Sequence, residues 1–444
     1  AVGYGAMKAN TTSSGSTAVG FQALCSNTTG SDNTAFGLEA LKTNITGAGN
    51  TAVGRDALET STGNDNTAVG YEALKLTTTG TRNSAVGRNT LEANTEGEDN
   101  TAMGTNALLL NTTGDDNTAF GADALDSNTT ASGNVAVGSR AMDSNTTGIQ
   151  NTAIGTDTMR STVDSNDNTA VGYNALNGNT GAFNTGVGSS VLENVTGAAN
   201  VGLGRRAGYL ITSGTCNTVL GHQSGDNITS GAGNTGVGFH SLNGITTGSN
   251  NTAVGCNAMG TTTTTGSFNS SLGANALQKV TSGEQNTAMG DGAGLCVSTG
   301  DNNLLLGKHA GRSTSPAGTV STQDNQIGLG DNNITHASIK VDWTVTSDAR
   351  DKMNIEAVPH GLDFVNQLNP IKFNFKKDRD TEIVHGDKKY GFKAQDILAL
   401  EGDNPVIINN KDENALKYLG AHLVPVLVNA IKELTKRIKD LEDK

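Results

Sequence analysis

The sequence predicts a mostly β protein: a parallel β-solenoid of about nineteen 17-residue coils, then a small α+β domain ending in a coiled-coil helix. Three observations predict it. A glycine-ended unit of the type Asn-Thr-Ala-Val-Gly returns nineteen times, from Gly3, Gly20, Gly37 and Gly54 onward to Gly307, mostly in steps of seventeen residues. All five prolines lie from Pro316 onward, where charges also become dense. The last stretch carries apolar residues spaced 3, 4, 3, 4, 3.

The repeat comes first along the chain. Each unit has an apolar residue just before the glycine (Val19, Phe36, Val53, Met103, Phe120, Ile154, Leu220) and another four positions after it (Leu24, Leu41, Leu58, Leu108, Met142, Leu176). A seventeen-residue unit is too short to bury these alone, so stacked copies are expected to bury both as continuous rows. Thr and Val favour strands, and the Asn-Thr-Thr-Gly segments favour tight corners. Helical solenoid repeats run about twice as long, and glycine at this density would cost about 1 kcal/mol each in helices. At ~4.8 Å per coil the stack forms a rod of roughly 90 Å. The recurrent alanines (Ala18, Ala35, Ala52, Ala68) are expected on the opposite strand face, small enough for a second chain to approach. The recurrent asparagines (Asn33, Asn50, Asn66, Asn83, Asn100, Asn117) are expected to form an amide ladder at a turn.

Composition excludes several functions. Hydrophobic residues make up 34% and aromatics 4%, with 58 glycines, but only 16% of residues are charged and the strict repeat argues for order. The net charge of −13 argues against nucleic acid as a partner. No apolar run approaches the roughly 20 residues that span a bilayer. Cys25, Cys216, Cys256 and Cys296 fall at different phases of the repeat and lack metal-ligand spacing, so they read as isolated, mostly buried thiols. No metal and no cofactor is expected. Gly-x-Gly pairs such as Gly202 to Gly204 lack the strand-to-helix context of a dinucleotide site. The threonine run from Thr262 to Thr265 is too short to form a regular ice-binding array. The chain starts at Ala1 in mid-repeat, so a preceding region is expected.

Three segments follow: a shaft over residues 1–330, a connecting strand over 331–346, and a compact domain over 347–444. The alternating stretch 339–345 reads as a strand centred on Trp343, the only tryptophan. Residues 361–368 are amphipathic, 371–375 read as a strand, 376–387 as a solvated hairpin or loop, and 390–400 as a strand running into a helix. Val424, Leu427, Ile431, Leu434, Ile438 and Leu441 form an a/d seam within about 423–444, which argues for self-association. Its mixture of β-branched residues and leucines, taken alone, favours two strands over three. Pro425 fits only the first helical turn.

The candidate chemistry sits at the junction, where Ser347 and Lys352 lie five positions apart. A hydroxyl becomes a nucleophile only when something takes its proton, and a lysine whose pKa is lowered can do so. No histidine lies close in sequence, so a Ser/Lys pair is the economical arrangement. The alternative is a helix start, with Ser347 or Asp348 capping a turn and Lys352 solvated.

Four blocks carry a resemblance: Ser347-Asp-Ala-Arg-Asp-Lys352 with Asn354-Ile355, Leu368-Asn-Pro-Ile-Lys-Phe-Asn-Phe-Lys376, Gly391-Phe-Lys-Ala-Gln-Asp396, and the stretch from Tyr418 to Leu434. Residues from about 339 to the end resemble the intramolecular chaperone domain of endosialidases and other phage tail fibres and tailspikes. The shaft is similar only to trimeric fibre and adhesin-head repeats in general. The resemblance implies a homotrimer on a virion, assembled in the host cytoplasm, in which the domain aligns three solenoids and then cuts itself off. The cut would fall between Thr346 and Ser347, with Ser347 as nucleophile and Lys352 as general base. The implied partners are a host cell-surface receptor and other virion tail proteins, reached through the region before Ala1. Asp396, where many relatives carry Glu, departs from the pattern without touching the dyad. The alternative function is a bacterial surface adhesin or ice-binding solenoid. A glycan-degrading tailspike is disfavoured, because the shaft has few aromatics and its acids are scattered over turns.

Overall fold

A computed structural model describes residues 1–338, 340, 347–377, 381–411 and 416–444, and its chain forms two compact units, Ala1–Leu329 and Gly330–Lys444. In the first unit, three-residue strands from β1 (Thr17–Val19) to β19 (Ile327–Leu329) each pair in parallel with the next, making one nineteen-stranded sheet. Thr17 lies beside Thr34, Ala18 beside Ala35 and Val19 beside Phe36, so one coil of chain separates neighbouring strands. This is the parallel solenoid that the repeat predicts. The last coil is longer: Leu304 pairs with Ile327, and the added residues include Pro316, which lies outside the sheet.

Of the two apolar rows expected inside, only one is there. Leu24, Leu41, Leu58 and their equivalents are fully buried. The apolar residue before each glycine points outward, with Phe36 57% and Phe120 46% exposed, while Ala18, Ala35 and Ala119 fill the interior at 0%. The alanines therefore line the core and offer no surface to a second chain. Successive strand side chains face opposite ways, so in a three-residue strand only the middle one points inward. A seventeen-residue coil encloses little volume, and a small residue there leaves room for the leucine that enters from the turn. Where the larger Leu305 takes the inner place, Gly294, Gly311 and Gly328 surround it, and a Cβ on each would lie 3.2, 2.9 and 2.8 Å from its side chain.

The turns hold the coils together. Glu39 and Leu41 adopt left-handed backbone, φ 59° and 52°, which costs free energy at non-glycine residues. The conformation sends amides two residues apart to opposite neighbours: Glu39 N–H donates to Phe21 O at 2.9 Å in the coil before, and Leu41 N–H to Ala57 O at 3.0 Å in the coil after. Gly37, at φ +148°, could not carry a side chain, since a Cβ would run into the Gly54 carbonyl. The expected asparagine ladder is buried. Asn50 N–H donates to Asn33 Oδ1 at 3.0 Å, and its Nδ2 to Gly63 O at 2.9 Å. A second ladder runs through Asn94, Asn111, Asn128 and Asn145.

In the second unit α1 (Leu362–Val365) precedes β20 (Ile371–Lys376), which pairs antiparallel with β21 (Val384–Gly391) across a bulge between Phe373 and Phe375. Then come α2 (Ala394–Glu401), the short pair β22 (Ile408–Asn409) and β23 (Lys417–Tyr418), and α3 (Leu423–Glu442), with Pro425 in its first turn. Phe364, Ile397, Ile407, Ile408, Leu423 and Val426 form its core. Of the strand expected over 339–345, every residue except Lys340, Trp343 included, lies outside the described residues. The expected burial of the cysteines fails: Cys216 and Cys256 are exposed, and Cys25 and Cys296 are half-buried. Their repeat positions lie on outward-facing turns.

Candidate functional site

Residues 348–352 fold the chain back on itself. Asp348 caps a 3-10 turn at Ala349–Asp351, its carboxylate accepting from Arg350 N–H at 2.9 Å. The same carboxylate accepts from the Arg350 guanidinium, with Nη2 at 2.7 Å, and these bonds hold the Asp348 carboxyl below the usual carboxylate range. The Lys352 amide closes the turn onto Ala349 O at 3.2 Å. The capping expected of Ser347 or Asp348 thus falls to Asp348.

That division of labour leaves the serine free for the lysine. Lys352 Nζ donates to Ser347 Oγ at 2.8 Å, so the two candidate residues meet in hydrogen-bond contact. Both side chains are exposed to solvent. Thr346, the other half of the expected junction, lies outside the described residues. The Arg350 charge is already matched by Asp348. Among the described residues no group of His, Cys, Asp and Glu side chains is arranged to hold a metal ion.

Helix α3 has two faces. Leu423, Val426 and Ala430 are buried against the domain core. The seam residues Val424, Leu427, Ile431, Leu434, Ile438 and Leu441 are all exposed, from 38% at Leu427 to 70% at Leu441. A row of six such side chains on one face of a lone helix leaves apolar area in water. Sequence reasoning missed the polar residues beside the buried face. Asn429 Nδ2 donates to Val358 O at 3.2 Å and His360 O at 3.3 Å, and Glu433 Oε2 accepts from Leu362 N–H at 2.9 Å. Arg437 pairs with Asp363 at 3.7 Å. These contacts tie the segment that follows the dyad to the helix carrying the seam. Their signal was the second stripe 429, 433, 437, at i, i+4, i+8, hidden beside the stronger apolar one.

Residues 347–403 match the family model described as chaperone of endosialidase, and the match begins at Ser347 itself. No curated protein matches the chain. The solenoid and the matched region together fit a tailspike or tail fibre with an endosialidase-type chaperone domain.

Proposed function

We propose that this chain is a segment of a viral tail fibre used in host attachment, whose C-terminal domain assembles three copies, aligns their shafts and then cuts itself away between Thr346 and Ser347. The 2.8 Å contact between Lys352 Nζ and Ser347 Oγ, at the first residue of the matched region, supports it most directly. In the reaction Ser347 Oγ attacks the carbonyl carbon of Thr346 while Lys352 accepts the hydroxyl proton. The bond from that carbon to the Ser347 nitrogen breaks, and the nitrogen leaves as an amine with a proton gained. The ester between Thr346 and Ser347 Oγ is then hydrolysed by water, leaving a Thr346 carboxylate.

In the single chain both side chains are open to solvent. A lysine takes the serine's proton only in its neutral form, and covering the site on assembly disfavours the charged form. Cleavage is thereby delayed until the fibre exists.

Denaturing electrophoresis with intact mass tests the reading. The expressed chain should yield one fragment ending at Thr346 and one starting at Ser347. Ser347→Ala should leave a single band that still trimerises in sedimentation equilibrium. Two bands from that variant would remove Ser347 as the nucleophile.

A further inference from the structure

We infer that the outward apolar row of the shaft, one side chain per coil from Val19 to Leu329, is the surface along which copies of this chain pack against each other. The inference rests on the self-association proposed above and names the face of the shaft that takes part.

The row is built by the strand pairing. Because the strands lie in register, Val19, Phe36, Val53 and their successors stack directly over one another on the outside of the sheet. Phe36, Met103, Phe120, Leu203 and Leu272 are all exposed, and every coil supplies an aliphatic, Met or Phe residue at this place. The outward column beside it, two residues earlier in each strand, is Thr, Ser, Val, Leu or Ile throughout. Neither column holds a charge, although the chain has 43 acids and 30 bases. The charges lie instead on the turns, as in the Lys42–Glu39 and Arg140–Asp157 pairs.

The extent of the face is that of a stable interface. Ten of the nineteen row residues are exposed and nine partly so, which leaves on the order of 1,000 Å² per chain, above the ~800 Å² per partner of a standard complex. Its period selects the occupant. The row repeats once per coil at ~4.8 Å. A second solenoid of the same coil height, laid parallel, meets it rung for rung along its whole length; a globular partner reaches only a few rungs. The row and the column before it carry no charge and so set no repulsion between like copies. A copy of the same shaft is therefore the partner that fits.

Cysteine cross-linking tests this in the full chain with Ser347→Ala, which keeps the C-terminal domain attached. In a background where Cys25, Cys216, Cys256 and Cys296 are serine, Val69→Cys and Val237→Cys are introduced singly, with Thr130→Cys on a corner turn as control. Oxidation of the trimer should convert most of the Val69→Cys and Val237→Cys chains, and under a tenth of the Thr130→Cys chains, into covalent multimers. Row cysteines that stay open to maleimide in a trimer would overturn the inference while the chaperone reading stands. Row cysteines blocked to maleimide yet not cross-linked would also overturn it, since another occupant would cover the face. A chain that sediments as a monomer would sink both readings.

Discussion

At the residue scale, small departures from the repeat have energetic consequences. Thr162 stands where the second ladder calls for asparagine, and both its hydroxyl and the Asn145 Oδ1 it faces lack a hydrogen-bond partner. Thr162→Asn should restore the bond that Asn145 makes to Asn128 one coil earlier. It should raise stability by about 1 kcal/mol, read as a later denaturant midpoint. Asp126 is a different case. Burial, then the neighbouring Asp143 and Asp123, push its carboxyl up to about 6. A raised acid pKa means that the folded state holds a proton the unfolded chain has lost, so stability falls as pH rises from about 4 through 6. Asp126→Asn should be the more stable protein above pH 6 and equal to the parent below about pH 4. After discounting for screening at a half-exposed site, the gain is ~1 kcal/mol. Thermal melts at pH 4 and pH 7.5 would measure it, and an equal shift at both values would sink the electrostatic explanation.

At the element scale, α3 connects folding with the proposed assembly. Its buried face, Leu423, Val426 and Ala430, makes the helix part of the domain core, while its seam is spare apolar surface. The two functions are separable by substitution. Ile431→Asp places a charge in the seam at a side chain 63% exposed in the single chain. It should leave the circular dichroism of the domain intact, abolish the trimer in sedimentation equilibrium and suppress the cleaved fragments at least tenfold. Cleavage at the parental rate in a monomeric Ile431→Asp chain would show that the dyad does not wait for assembly. Strands of three residues are supplemented by inter-coil bonds from the turns, such as those of Glu39 and Leu41.

At the scale of the whole molecule, near-identical coils create an alignment problem. Each coil presents almost the same surface, so two shafts displaced by one coil lose only the terminal contact. Nothing within the repeat corrects the slip. In the proposed function a separate domain that associates first would supply both stoichiometry and register, and its removal would leave a fibre whose persistence is governed by an unfolding rate. Deleting residues 347–444 should therefore yield monomeric or aggregated shaft by size-exclusion chromatography with light scattering. A soluble, uniform trimer from that deletion would contradict the chaperone role.

What the sequence determined by itself was everything that depends on spacing. A seventeen-residue period with glycine at its end dictates stacked parallel strands, and the 3, 4, 3, 4, 3 spacing dictates a seam, because periodicity is a property of the chain before it folds. The tertiary structure decided which side of each strand is inside. Ala35 and Phe36 are adjacent, alternation permits either to face the core, and only the narrow volume within a closed coil selects the alanine. It also decided that Asp348 takes the cap and Arg350, leaving Ser347 to Lys352, and that Asn429 and Glu433 reach back to residues 358–362. Those contacts depend on where a turn or a helix lands in space, and such distances are set by packing, which no one-dimensional pattern records.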